Sequence, residues 1–283
     1  MEAELSREIV VETGSQTVTF VEDSAQPSAF LVRIGDTDQS YVDLADPLRL
    51  EFDYVQRIAD VIDEIAPGGA RLRVVHVGGA ALTLPRYVTA TRPSSAQIVL
   101  EPDEELTQVV RERLPLPRRS GIKVRAVDGR SGIAAMRDDF ADLVIVDAFA
   151  GARVPPELTT TEFLTDVRRV VGSTGVLVIN VTDQGRLAYS KRVLAGVAAV
   201  FGHALYGAEP ATLKGRRFGN VIITGSDAPL PEAALTRRAA GSMFPYRIVV
   251  GAQQRRFLGG ATPFTDADAE ASPDPVTGGA HFG

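Results

Sequence analysis

Residues Arg71–Tyr87, RLRVVHVGGAALTLPRY, decide the fold. Leu72, Val74, Val75 and Val77 form a short apolar run with charge before it and glycine after it, the pattern of a strand buried on both faces. The chain then passes through Gly78-Gly79-Ala80-Ala81 into LTLPRYVTA. This reads as a helix with Pro85 inside its first turn, where a missing N–H is tolerated. Strand, small-residue turn and helix are the plan of a nucleotide-binding α/β unit. The small residues let backbone N–H groups approach a ligand, and the helix start adds unpaired donors and the positive end of a dipole. The turn is not a full G-x-G-x-x-G, so alone it fits a turn made glycine-rich for tightness equally well.

The same alternation repeats downstream. Gln97–Leu100 reads as a strand ending in Glu101, and DEELTQVVRERL as a helix stopped by Pro115 and Pro117. IKVRAV is a strand leading to Asp128-Gly129, followed by a short helix in SGIAAM. ADLVIV is a strand ending in Asp147, and TTTEFLTDVRRVV a threonine-capped helix. GVLVIN is a strand and RLAYSKRVLAGVAAVF a long helix. HALYGA and NVIITGS read as two strands joined without a helix, an antiparallel hairpin. Counting the central strand, this makes a Rossmann-like, mostly parallel sheet of seven strands covered on both faces.

Upstream the grammar differs. VVETGSQTVTFVED and SAFLVRIGDTDQSYVDL alternate β-branched with polar residues and break at GSQ, SAQPS and GDTD, so residues 1–50 read as a small antiparallel β-domain. Pro47 then opens a helix on which Leu50, Tyr54, Ile58, Ile62 and Ile65 recur at helical spacing, ended by Pro67-Gly68-Gly69. Residues 51–262 form the α/β domain. Residues 263–283, rich in Asp, Ala, Pro and Gly, read as a disordered tail.

Composition removes several classes. The 283 residues carry a net charge of −6, which argues against a general nucleic-acid binder. Absence of cysteine excludes disulfides, thiolate metal sites and cysteine nucleophiles. His76, His203 and His281 are too scattered for a histidine metal cluster, so no metal is expected. His76 reads as a satisfied core histidine, His203 as meeting helix-end carbonyls. No apolar run reaches membrane-span length and the start MEAELSREIVVE is too charged for an export signal, so a cytoplasmic protein without membrane partners is expected.

Glu101, Asp128 and Asp147 fall at the carboxyl ends of three successive strands, where open α/β sheets bind ligands. Glu101 lies close to the roughly 20-residue offset at which a carboxylate accepts from ribose hydroxyls. Asp128-Gly129 suits an adenine amino group, and Asp147 points to where a reacting group would lie. Each carboxylate also has a plain structural use as a helix cap. Asn180 reads as a cap near the same crevice.

Residues from about 9 to 225 resemble the spermidine synthase (polyamine aminopropyltransferase) family, which has the class I S-adenosylmethionine-dependent methyltransferase fold behind a small β-domain. EFDYVQRIA resembles the family's E-F-x-Y-Q-x-x-I-A, with Tyr54 on its tyrosine, and GGAALTL resembles GGGDGGTL. Glu101, Asp128-Gly129 and Asp147 fall on the family's ribose, adenine and catalytic acidic positions, and Gln39 in IGDTDQSY on a ligand-binding glutamine. DAFAGARVPPELTTTEFL looks like the divergent bacterial branch, with Asp-Ala-Phe for Asp-Ser-Ser-Asp-Pro. The resemblance thus implies S-adenosylmethionine or its decarboxylated form as co-substrate, held by Gln39, Gly78, Gly79, Glu101, Asp128 and Gly129. It implies Asp147 and Tyr54 as catalytic residues, and a homodimer.

The departures have consequences of their own. The aspartate of the family's glycine turn, which faces the donor's amine end, is Ala81 here. The second aspartate of its catalytic loop falls near Ala150 and its late substrate tyrosine at Thr212, with Lys214, Arg216 and Arg217 close by. A diamine carries two positive charges, and one opposite-charge contact at ~4 Å is worth about 4 kcal/mol at an effective dielectric near 20. Losing two carboxylates therefore argues against true polyamine synthesis with an ordinary diamine. The readings that follow are a spermidine-synthase-like transferase, a small-molecule methyltransferase on the same fold, or a non-catalytic dimeric binding protein.

Overall fold

The computed structural model describes residues 7–275. Four strands, β1 (Glu8–Glu12), β2 (Thr17–Asp23), β3 (Gln26–Ile34) and β4 (Thr37–Asp43), form an antiparallel meander in the order β1-β2-β3-β4. α1 (Asp53–Glu64) follows, then β5 (Arg73–Val77), α2 (Thr83–Thr91), β6 (Ala96–Leu100), α3 (Glu104–Arg113), β7 (Ile122–Arg125) and α4 (Gly129–Ala134). β8 (Leu143–Val146), α5 (Thr161–Val171), β9 (Val176–Asp183), α6 (Ala188–Val200) and β10 (His203–Ala208) continue the alternation. α7 (Pro210–Leu213), β11 (Gly219–Ser226), α8 (Glu232–Gly241), β12 (Arg247–Val249) and α9 (Gly251–Leu258) complete it.

The main sheet has the order β12-β10-β11-β9-β8-β5-β6-β7. It therefore has eight strands where seven were expected. The extra one is β12, which adds antiparallel to β10 through Tyr206–Val249, Gly207–Ile248 and Ala208–Arg247. Its three residues are too short to show a period in sequence. β5, β6, β7, β8 and β9 are mutually parallel, and β11 inserts antiparallel between β9 and β10. A single turn, α7, interrupts the β10–β11 connection, where the sequence pattern predicts a helix-free link.

Two core clusters cover the sheet's faces. One joins α4, α5 and α6 through Ile133, Phe163, Val167, Val193 and Val197 to Val75, Val77, Val144 and Val146. The other joins α1 and α2 through Ile58, Ile62, Tyr87 and Val88 to Val74, Leu143, Ile145 and Val178. Alternating strand residues point to opposite faces, which is why each strand reads as unbroken apolar sequence. A third cluster packs Val18, Phe20, Val32 and Val42 of the small sheet on Ala81, Leu82, Val99, Leu106 and Val110. The small sheet thus shares its core with the α/β unit.

Two expectations change. α1 starts at Asp53, six residues after Pro47, because local side chains claim the backbone first. Asp43 accepts from the N–H groups of Ala45 and Asp46, and Asp46 accepts from Leu48, a turn-forming pattern that competes with helix. The stretch from 263 to 275 is laid against the body, against its polar composition. Phe264 is fully buried against Tyr189 with Arg192 over its ring, and Ser272 accepts from the Val154 N–H at 2.9 Å. One aromatic anchor and a few backbone bonds outweigh composition there. His203 opens β10 opposite Ser226, and His281 lies outside the described residues.

The carboxyl end of α1 depends on Arg92, which is 1% exposed. Its guanidinium donates to the carbonyls of Ile62 (2.6 Å), Asp63 (3.2 Å), Ala66 (3.0 Å) and Pro67 (2.6 Å). A cation on a helix's last carbonyls meets the negative end of its dipole and satisfies acceptors that the helix leaves open. Arg92→Met orphans those carbonyls and is expected to cost roughly 3 kcal/mol of unfolding free energy, read from urea titration. A midpoint unchanged from the wild type would show that water replaces the side chain freely.

Candidate active site

Strand order reverses between β5 and β8, since the chain runs outward through β6 and β7 and then returns to β8. Along the sheet's carboxyl edge the strand order places Asp147 after β8, Gly78 after β5, Glu101 after β6 and Asp128 beyond β7. The three carboxylates read from sequence therefore lie in one row at the switch point. Gly78 has φ +88°, and a Cβ there would sit 2.4 Å from the Asp147 carbonyl oxygen, so only glycine lets the two strand ends approach.

The turn's backbone donors are spent within the protein, contrary to the expectation that they face a ligand. Gly78 N–H donates to the Leu100 carbonyl, Gly79 N–H to Glu101 Oε2 at 3.1 Å and Ala81 N–H to Ser40 Oγ at 3.4 Å. Glu101 Oε1 accepts from the Asp103 N–H at 3.1 Å. Burial pushes the Glu101 carboxyl above its ordinary range, and these N–H groups pull the other way. The N–H groups of Gly79, Ala80 and Asp103 leave roughly one of a carboxylate's four acceptor sites for a hydroxyl group.

Asp128 is exposed and caps α4, accepting from the Ser131 N–H at 2.8 Å, which holds its carboxyl below the usual range. Gly129 is required by packing: a Cβ there would lie 2.2 Å from Val77 Cγ1. Ala81, expected to face the donor's amine end, is fully buried against the small sheet, and Ala80 is the turn alanine that faces the crevice.

A hollow of about 510 Å³, open to solvent, lies over this crossing. Gln39, Tyr54, Gly78, Gly79, Ala80, Asp147 and Phe149 line it, with His76 and Ile145 among the remainder. A smaller hollow of about 240 Å³ is lined by Asp38, Gln39, Tyr54, Phe149, Ala152, Asn180 and Asn220. Gln39, Tyr54 and Phe149 border both, so the two adjoin. Of the residues expected to bind a donor, Gln39, Gly78 and Gly79 are brought together with Asp147 and Tyr54. Glu101, Asp128 and Gly129 line neither hollow; Glu101 reaches the first through the N–H groups of Gly79 and Ala80.

Electrostatics single out Asp147. Burial pushes its carboxyl up to about 6, against a lowering from the Asn180 amide, whose Nδ2 donates to Oδ1 at 2.9 Å. Burial, and then the Asp147 charge, push the Tyr54 phenol further above its ordinary value, so Tyr54 stays protonated. Its ring stacks on Phe52 at 6.0 Å. His76 is pushed down to about 4 by burial. Its Nε2 meets Gln97 Oε1 at 2.9 Å, while Gln97 Nε2 donates to the Pro85 carbonyl and Thr89 Oγ1, so His76 Nε2 carries the proton.

Asn180 is no helix cap. It sits inside β9, is 1% exposed, and its Oδ1 is buried without a partner, as is Asn220 Oδ1. Leaving such an acceptor unmatched costs about 1–3 kcal/mol. Sequence reasoning missed Asn220, whose place is set by strand register, and passed over Phe149, although the Asp-Ala-Phe segment holds it two residues after Asp147. Thr212, Lys214, Arg216, Arg217 and Ala150 line neither hollow, and Arg217 pairs with Glu209 at 3.1 Å. Among the described residues no cluster of His, Asp or Glu could hold a metal ion, and no helix is long and apolar enough to cross a membrane.

The sheet order and the site at its switch point define an α/β fold of the class I methyltransferase type. Human methyltransferase-like protein 13, solved in complex with SAH, shares that fold with a TM-score of 0.53 and 21% identity over 76% of this chain and 96% of that one. A probable spermidine synthase from Corynebacterium glutamicum ATCC 13032 is 32% identical, with a TM-score of 0.86 covering 92% of this chain and 96% of its own. The chain belongs to the spermidine-synthase-like family. A probable polyamine aminopropyl transferase of Bifidobacterium longum is 31% identical over 106 residues, 37% of this chain and 23% of that protein. The chain spans about half or less of the length of the curated polyamine aminopropyltransferases that it matches. No family model matches it.

The Asp147 environment sets a pH dependence. With a folded value of about 6 against roughly 3.9 in an unfolded chain, the folded protein keeps a proton that the unfolded chain has lost between those values. Stability is thereby lost as pH rises from about 4 to about 6, and the loss persists above that. Asp147→Asn removes the penalty, so the variant is expected to be more stable by about 2 kcal/mol at pH 8 and to match the wild type near pH 4. Thermal unfolding at the two pH values checks this, and an equal difference at both would refute it.

Proposed function

We propose that this chain is a spermidine-synthase-like transferase that takes an adenosyl sulfonium donor, S-adenosylmethionine or its decarboxylated form. The observation that carries the reading is Asp147, a raised carboxyl fixed by Asn180 at the rim of a hollow floored by Gly78 and Gly79. The residues present fit such a donor. Glu101 keeps acceptor capacity for ribose hydroxyls, Asp128 keeps an exposed carboxylate beyond it, and the turn places no side chain larger than a methyl in the hollow.

The donor supplies an alkyl carbon made electrophilic by an adjacent positive sulfur. Attack by an acceptor nitrogen forms an N–C bond as the C–S bond breaks, the electron pair leaving on sulfur as a neutral thioether. Asp147 takes the proton released from nitrogen. A value of about 6 lets it hold that proton and return it to water near neutral pH. Gln39 and the protonated Tyr54 hydroxyl line the path and orient the partners, which is most of what such a displacement needs.

A methyltransferase reading is favoured by Ala80. Its methyl faces the hollow where a carboxylate would repel that of ordinary S-adenosylmethionine, so the carboxylated donor is accommodated. A homodimer belongs to the same proposal, since Leu48, Met243 and Phe244 leave large apolar side chains exposed.

Calorimetric titration with both donors tests the reading. S-Adenosylmethionine is expected to bind at least as tightly as the decarboxylated form. Asp147→Asn is expected to lower turnover at least 100-fold with amine acceptors while changing donor affinity less than threefold. Failure of both donors to bind would leave a non-catalytic protein of this fold.

A further inference from the structure

Two residues that line the smaller hollow, Asn180 and Asn220, each carry a buried side-chain oxygen that the protein does not satisfy. Asn180 uses its Nδ2 on Asp147, which fixes its Oδ1 on the opposite side, buried and without a partner. Asn220 Oδ1 is likewise buried and unpartnered. Register explains why they meet. β9 and β11 pair Asn180 with Ile222 and Thr182 with Asn220, so the two asparagines lie diagonally on one face of adjacent strands. β8 pairs with β9 through Val146 and Ile179, which places Asp147 beside Asn180 on the same face. Three hydrogen-bond acceptors thus lie in a row across β8, β9 and β11.

A buried acceptor in a native protein calls for a donor. A primary ammonium group offers three N–H donors on one nitrogen the size of a water oxygen, and so can supply unmatched acceptors on neighbouring strands. Charge narrows the class further. Of the residues lining the two hollows, only Asp38 and Asp147 are acidic, and Asp38 is paired with Arg33 at 2.8 Å. One uncompensated carboxylate matches one positive charge. A second ammonium on the same molecule would lie against Phe149, Ala152 and the Tyr54 ring.

Resting on the transferase reading above, we propose that Asn180 and Asn220 are specificity-determining residues of the acceptor site. With Asp147 they cradle one ammonium group, and the acceptor is a primary monoamine.

Calorimetry on the full chain saturated with 5′-methylthioadenosine, the thioether that the decarboxylated donor leaves on aminopropyl transfer, tests this with 1-aminobutane, 1,4-diaminobutane and 1-butanol. 1-Aminobutane is expected to bind at least as tightly as 1,4-diaminobutane, and 1-butanol at least tenfold more weakly. Asn220→Ala is expected to weaken 1-aminobutane about tenfold and leave 5′-methylthioadenosine affinity within twofold. The isosteric Asn220→Asp is expected to shift the preference about tenfold toward 1,4-diaminobutane. A tenfold preference of the wild type for 1,4-diaminobutane, or an Asn220→Ala variant that folds and binds 1-aminobutane unchanged, overturns the proposal. Binding of 5′-methylthioadenosine with no amine binding overturns the cradle alone. Failure of 5′-methylthioadenosine itself overturns the reading of the donor hollow, and the cradle with it.

Discussion

The backbones of β5 and β8 touch at their carboxyl ends, and the rest of the site depends on that contact. Gly78 leaves β5 at φ +88° with its α-carbon against the Asp147 carbonyl, at a separation that no Cβ could share. Because strand order reverses here, the helices following these two strands depart to opposite faces and leave a crevice between them. Everything assigned to donor or acceptor is measured from that point. Gly78 and Gly79 floor the larger hollow, Asp147 stands at its rim, and Asn180 holds Asp147 from the next strand.

The small N-terminal sheet is a wall of this crevice. β4 ends beside α2, where Ser40 Oγ accepts from Ala81 N–H and the Tyr41 carbonyl accepts from Thr83 Oγ1. Those contacts fall on a strained stretch: Ala80 and Leu82 have φ of 38° and 64°, and non-glycine residues in that region cost of order 1–2 kcal/mol each. Such strain persists only where packing fixes it. Ala81 and Leu82 are clamped between Val18, Phe20, Val32 and Val42 on one side and Val99 on the other. Docking of the small sheet therefore fixes the shape of the glycine turn, and it delivers Gln39 to both hollows.

Much of this was legible in the sequence because the parallel strands are short apolar runs with acidic residues at their ends. Glu101, Asp128 and Asp147 could be placed in a row from spacing alone. What spacing could not show is how each carboxylate is employed. Glu101 and Asp128 first satisfy their own backbones, at the glycine turn and at the start of α4, so local hydrogen bonding takes part of the acceptor capacity assigned to a ligand. The shift from Ala81 to Ala80 at the hollow has a similar origin, since one residue's rotation in a turn decides which methyl faces the ligand. β12 and the asparagine pair were invisible for a different reason. Both arise from pairing between strands distant in sequence, which carries no local period.

The acidity of the site follows from the same geometry. Asp147 is given one neutral amide and, among the described residues, no cationic partner, so burial raises its proton affinity with little to oppose it. A carboxylate at the end of an exposed strand would have stayed near its ordinary value and held a proton poorly at neutral pH. Had the protein supplied an arginine, the carboxyl would have dropped and its attraction for an ammonium would have been cancelled. Asn180 avoids both outcomes. It orients the carboxylate without neutralising it and leaves its own oxygen buried and unmatched. The arrangement therefore combines a group able to take a proton near neutral pH with neighbouring acceptors that the protein leaves unmatched. Proton affinity near neutral pH requires the Asp147 carboxyl to stay shielded from water, and the Gly78 contact fixes the backbone that carries it.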